Sequence, residues 1–355
     1  MTEAVRRRNL LCAGLGISAN LAGCGGGSPA PTPADGLRKA LADNTARRAA
    51  AAAATPAASA ASAVSAIAYG NPLVEANPRR NYLFSPAIAY FMVGKANVGV
   101  GENVLSLSTT GSWNTAVGDQ VMGRLTEGID NVGVGSLALM AAVNTIDCTA
   151  VGVEALASAV DGVGGTAIGR LSCSSITSAN NNTGVGDSTL RFLQAGWANC
   201  ALGYTTAEYL KAGSHNTLLG TAAAKNLPQG DYNTVVGAHA MASAGAGNDN
   251  VAVGAMALEG VTGSSNVAVG MNAGAGTQSL TRSIFIGGTA GTGASQAPAV
   301  DNVVVVGHGA VASRSHQVVL GNAETQEIVI GDLAISKAEL QSLLRWLRSQ
   351  TAAVR

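Results

Sequence analysis

The sequence predicts an all-β fold, a parallel β-solenoid of about fourteen repeats, and three observations predict it. Glycine recurs at a fixed interval: Gly101, Gly118, Gly135, Gly152, Gly169, Gly186, Gly203, Gly220, Gly237 and Gly254 stand 17 residues apart, and Gly270, Gly287, Gly307 and Gly321 continue the series at looser spacing. Self-similarity at a fixed period is the signature of a repeat architecture. Asparagine recurs four positions before these glycines, as Asn97, Asn114, Asn131, Asn182, Asn199, Asn216, Asn233, Asn250 and Asn266, with Cys148 and Gly165 breaking the column. Composition agrees. Hydrophobic residues make up 47% of the 355 residues and aromatics only 4%, with 46 glycines, so small side chains supply most of the apolar content. Collagen is excluded, because the glycines do not recur every third residue and only nine prolines are present. A disordered polyelectrolyte is excluded too, since the formal net charge is zero.

Residues 1–23 read as an export signal. Arg6, Arg7 and Arg8 precede an apolar stretch, Leu10 to Gly23, shorter than the ~20 residues that a membrane span needs. The arginine pair before Asn9 is also a weak match to a twin-arginine signal. The stretch ends in Leu21-Ala22-Gly23-Cys24, which resembles the lipobox of bacterial lipoproteins. That resemblance implies lipidation of Cys24 and anchorage to the outer membrane or cell surface; the alternative is a cysteine in an ordinary buried helix. Stable anchorage needs more than one acyl chain, which lipoproteins carry.

Residues 24–68 read as a tether and stalk. Gly25-Gly26-Gly27-Ser28 and the prolines at 29, 31 and 33 suit a flexible linker, and the Ala-rich run from Leu37 to Thr55 suits a marginal helix. Residues 69–92 differ from the rest: Tyr69, Tyr82, Phe84, Tyr90 and Phe91 are five of the ten Phe and Tyr of the chain. They are expected to cap the first coil of the repeat body, as solenoid ends require, or to dock a partner protein.

Residues 93–332 form the repeat body. In Asn114-Thr115-Ala116-Val117 the side chains alternate with the period of a strand. The β-branched column before each glycine, with Val117 its type, is expected to fill the coil interior. The small column before it, with Gly99, Ala116, Gly133 and Ala150, is then expected to face outward as a chain-to-chain contact, most simply around a three-fold axis. The glycines suit corners at positive φ, and the asparagines suit either a stacked amide ladder or plain turns. At the strand spacing of roughly 4.8 Å, fourteen coils would rise about 65–70 Å. Charge is uneven: this segment holds eight Lys/Arg against sixteen Asp/Glu, 8 − 16 = −8. That sign argues against nucleic acid as a partner.

The segments Asn114–Met122, Asn131–Leu139, Asn250–Leu258 and Asn266–Ala273 resemble the head repeats of trimeric autotransporter adhesins, and equally the related repeats of bacteriophage tail fibres. The likeness covers about residues 93–332. It implies a left-handed parallel β-roll assembled as a homotrimer, located on a cell surface or in a virion tail, with a surface receptor or glycan as partner. Neither the membrane β-barrel of such adhesins nor the chaperone-protease domain of many tail fibres is expected after Gln317–Asn322.

Residues 333–355 are expected to form a helix. Ser336 and Glu339 have the spacing of a capping box, and Leu340, Leu343, Leu344 and Leu347 fall on one face. About two heptads must dock, either as a trimeric clamp or onto the last coil. Chemistry is thin. His215, His239, His308 and His316 are dispersed, Asp119 and Asp187 are too sparse for a calcium ladder, and Cys148, Cys173 and Cys200 lack ligand spacing. No catalytic residue, metal or cofactor is expected. Three function classes remain: an adhesin-like surface fibre, a tail fibre or spike, and a subunit of a self-assembling extracellular filament.

Overall fold

The computed structural model describes residues 81–84, 93–178, 180–292, 295–330 and 333–352. The chain divides into two units, residues 1–62 and 63–355, and all described residues belong to the second. The expected signal, Cys24, the stalk and most of the aromatic segment lie outside them.

The described chain is a parallel β-solenoid. Three-residue strands pair in register to build one 15-stranded sheet, which begins at Tyr82–Phe84 and ends at Val318–Leu320. Fourteen of its strands belong to residues 93–332, so 14 − 1 = 13 turns connect them. Each strand is the triplet before a repeat glycine, such as Thr115–Val117 paired with Val132–Val134. Tyr82–Phe84 pairs in the same way with Val98–Val100, so the sheet starts before the expected body. A second column of pairing is discontinuous: Asn144–Ile146 pairs with Asp161–Val163 and Ser279–Thr281 with Ala299–Asp301, and isolated bridges link Ala195, Ala212 and Gln229.

The two strand faces are the reverse of the expectation. The small middle residue points into the coil, where Ala116, Ala150, Ala167, Ala201, Ala252 and Ala268 are wholly buried, and the β-branched residue before the glycine points out. Space is the reason. The apolar residue four positions after each glycine turns inward under the strand, so a Cβ on Gly133 would lie 3.0 Å from the Met122 side chain and one on Gly184 would lie 2.7 Å from Cys173. Where the middle residue is large, its neighbours shrink. Phe285 is fully buried over Gly274 and Gly291, and Leu218 sits in a coil with Ala224. Such compensation keeps a narrow core at interior packing density.

The corners explain the glycines. Gly220 has φ +133°, and a Cβ there would stand 2.6 Å from the carbonyl oxygen of Gly237 in the next coil. Three more corner positions per coil take the left-handed conformation without glycine, as Gln120 (φ 55°), Met122 (φ 50°) and Asp130 (φ 58°) do in one coil. Ordinary side chains adopt this region only at some cost, which the backbone bonds between coils offset.

After the last coil, Glu327–Ile330 pairs antiparallel with Leu333–Ser336, so the helix begins later than residue 333 and runs over Lys337–Ala352. The capping box forms: the Ser336 hydroxyl donates to Glu339 Oε2 (2.7 Å) and accepts the Glu339 N–H (3.2 Å), while the Ser336 N–H donates to Oε2 (2.9 Å). These bonds hold the Glu339 carboxyl below its ordinary range. Leu340, Leu343, Leu344 and Leu347 are all exposed, so the helix does not cover the last coil with them.

Candidate functional surfaces

Four surface or seam features run across the coils, and each follows from one sequence column. The asparagine column is buried and forms a ladder rather than separate turns. Asn216 shows the pattern: its N–H and Nδ2 both donate to Asn199 Oδ1 (3.1 and 2.9 Å), and Nδ2 also donates to the Gly230 carbonyl (2.7 Å). Its own Oδ1 accepts both donors of Asn233. The hydrogen bonds of a side-chain amide used this fully offset the cost of taking it out of water. Asn81 is an additional lowest rung, with Oδ1 accepting from Asn97. The pattern Asn81-Tyr82-Leu83-Phe84, 16 residues before Asn97, carried that signal in the sequence.

The ladder stops at Cys148 and resumes at Asn182. The Cys148 N–H still donates to Asn131 Oδ1 (3.1 Å), but its thiol makes only long contacts to carbonyls, 3.4 Å to Ile146 and 3.9 Å to Gly162. Burial pushes this thiol up to about 11 and that of Cys173 up to about 12. Cys148, Cys173 and Cys200 are all free thiols, and only Cys200 is exposed.

The second feature is the outward face of the long sheet. Val100, Ile168, Leu202, Leu219, Val269, Ile286 and Leu320 point out from it with 39–55% exposure, and Val117, Val134, Val151, Val185, Val236, Val253 and Val306 are half-buried in the same column. The neighbouring outward column is mostly Thr and Val, with Cys200 in it. A parallel sheet is normally covered on both faces. In this single chain one face is bare.

The third feature is a set of charged and aromatic side chains on coils 182–249. Glu208, almost buried, lies 3.6 Å from Arg191 and 3.4 Å from Lys225, one coil to either side. Phe192 stacks on Tyr209 at 5.2 Å, with Arg191 over the Phe192 ring. On three successive coils Trp197 meets His215 edge to face, and His215 stacks on Tyr232. A second polar ladder runs beside them: the N–H groups of Trp197, Ser214 and Asp231 donate to Ser214 Oγ, Asp231 Oδ1 and Asn248 Oδ1. Glycine and asparagine periodicity hid this region, because the aromatic residues do not repeat.

The fourth feature is exposed ion pairing. Arg170 binds the Asp187 carboxylate at 3.0 and 3.2 Å, and Arg282 pairs with Asp301. Asp187 is held below its ordinary range by Ser188 first and then Arg170, and Asp301 by Arg282. Such exposed pairs add little stability. Among the described residues no three His, Cys, Asp or Glu side chains gather as metal ligands, and no helix is long and apolar enough to cross a membrane. In comparisons with known proteins, no family model matches the chain and no curated protein matches it.

Proposed function

We propose that the protein is a non-catalytic, adhesin-like surface fibre: a left-handed β-roll that assembles as a homotrimer and is held to the outer membrane by lipid on Cys24. The outward column of Val, Ile and Leu carries this reading. A continuous apolar strip on a parallel sheet marks an interaction surface, and closed cyclic symmetry is the usual way for identical chains to cover one. The exposed Leu340, Leu343 and Leu344 of the C-terminal helix support it as a second apolar strip. The Leu21-Ala22-Gly23-Cys24 motif supports the membrane anchor.

Sedimentation velocity of the full chain tests the assembly: a trimer is expected at micromolar concentration, and a Leu202→Asp, Leu219→Asp double variant is expected to be monomeric, because six buried carboxylates would face one another. A wild-type monomer overturns the reading. Mass spectrometry of the native N-terminus tests the anchor, with an acylated Cys24 expected. An unmodified Met1 would instead favour a tail fibre or spike, the reading that the same repeats support in phage.

A further inference from the structure

Of the seven aromatic residues in 93–332, five (Phe192, Trp197, Tyr204, Tyr209 and Tyr232) fall between 192 and 232. Trp197 and His215 meet edge to face at 4.1 Å, and His215 stacks on Tyr232 at 4.8 Å with planes 7° apart. Backbone bonds between coils fix the spacing of this corner: the His215 N–H donates to the Trp197 carbonyl and the Tyr232 N–H to the Ser214 carbonyl. Stacking accounts for the ring faces that touch. It does not account for Tyr232, which is 60% exposed at the end of the stack, followed in its column by Asp249 and Ser265 rather than another ring.

Beside that ring the polar groups are held in place. Asp231 Oδ1 accepts the Ser214 N–H at 2.8 Å, and Asn248 Oδ1 accepts the Asp231 N–H at 2.9 Å. The Asp231 Oδ2 and Asn248 Nδ2 atoms take no part in those bonds, and Asp249 is exposed next to them. We propose that the Trp197–His215–Tyr232 corner, with Asp231, Asn248 and Asp249, binds a neutral oligosaccharide. A pyranose ring has an apolar C–H face and a rim of hydroxyls. An aromatic face suits the first, and a positioned carboxylate and amide suit the second. The charge of the body, eight basic against sixteen acidic residues, selects uncharged sugars over acidic ones. It also disfavours single-stranded nucleic acid, which stacks on aromatic rings but needs a basic groove.

The inference rests on the reading of the chain as a binding fibre and names its ligand class. The full chain is titrated with cellohexaose, maltohexaose, mannohexaose and chitohexaose, followed by tryptophan fluorescence and calorimetry. At least one is expected to bind saturably. Tyr232→Ala is expected to weaken it about tenfold, Tyr232→Phe to leave it within about twofold because the ring face remains, and Asp249→Asn, which suits the same left-handed backbone, to weaken it with an unchanged melting temperature. Absence of binding by all four sugars overturns the proposal, as does wild-type affinity in Tyr232→Ala. An oligothymidylate that binds the corner in their place overturns it too. Altered sedimentation of Tyr232→Ala would assign the ring to a subunit contact and equally overturn it. The fibre reading fails separately, on a monomeric wild type, whichever way the sugars behave.

Discussion

At the scale of the residue, the amide ladder is where a single change costs most. Removing Asn216 breaks four side-chain bonds to three neighbours at once, and strands the Gly230 carbonyl, the Asn233 N–H and one of the two Asn233 amide hydrogens in the interior. Each unsatisfied buried group costs about 1–3 kcal/mol, so Asn216→Ala is expected to destabilise by about 3 kcal/mol or more in denaturant unfolding. Cys148 is the converse. Its slot already has the Asn131 acceptor below, so Cys148→Asn is expected to raise stability by about 1 kcal/mol; a destabilised variant would show that the slot is too small for an amide. The column of asparagines was plain in the sequence, but whether it formed a ladder or turns was not, because both place the same residue at the same phase.

Within the single coil, the interior is decided by volume rather than by residue type. Val117 is a good strand residue and Ala116 a poor one, and hydrophobicity alone ranks Val as the buried one. The buried one is Ala, because Met122 and its equivalents turn inward from the next corner and leave no room. That inward turn uses a left-handed backbone at non-glycine residues, which local preference argues against, so the inside and outside of the strand could not be read from its own three residues. The same tight interior holds two neutral thiols. With Cys148 and Cys173 pushed above their ordinary value of 9.0, the folded chain keeps protons that the unfolded chain releases. Their contribution is therefore complete below about pH 9 and is lost as pH rises toward 11–12. Denaturation midpoints between about pH 8 and about pH 10.5 should fall more steeply for the wild type than for Cys173→Ala; parallel profiles would contradict this.

For the molecule as a whole, periodicity made the architecture legible: the spacing of 17 between glycines fixed the parallel order and the register of the strands before any side-chain contact was known. Much of what escaped does not repeat, although the non-repeating capping box of Ser336 and Glu339 was legible. The extra rung at Asn81, the hairpin before the helix, and the aromatic stack on coils 197–232 are single events laid over a periodic background. A solenoid's stability is close to a sum over neighbouring coils, so such exceptions are tolerated locally, and a binding surface can be written on a few coils without disturbing the others.

The interruption of the ladder between Asn131 and Asn182 has a mechanical meaning. Pulled along its axis, the solenoid carries load through strand pairing and through the chain of amides; between these two residues the amides are missing, and the second column of strand pairing, Asn144–Ile146 with Asp161–Val163, spans the same coils. The amide ladder is thus two segments, joined across coils that strand pairing alone holds together. In single-molecule stretching, rupture is expected to begin at the coils of Cys148 and Gly165, and Cys148→Asn should raise the force of that first event; an unchanged first force would place the first rupture at another coil.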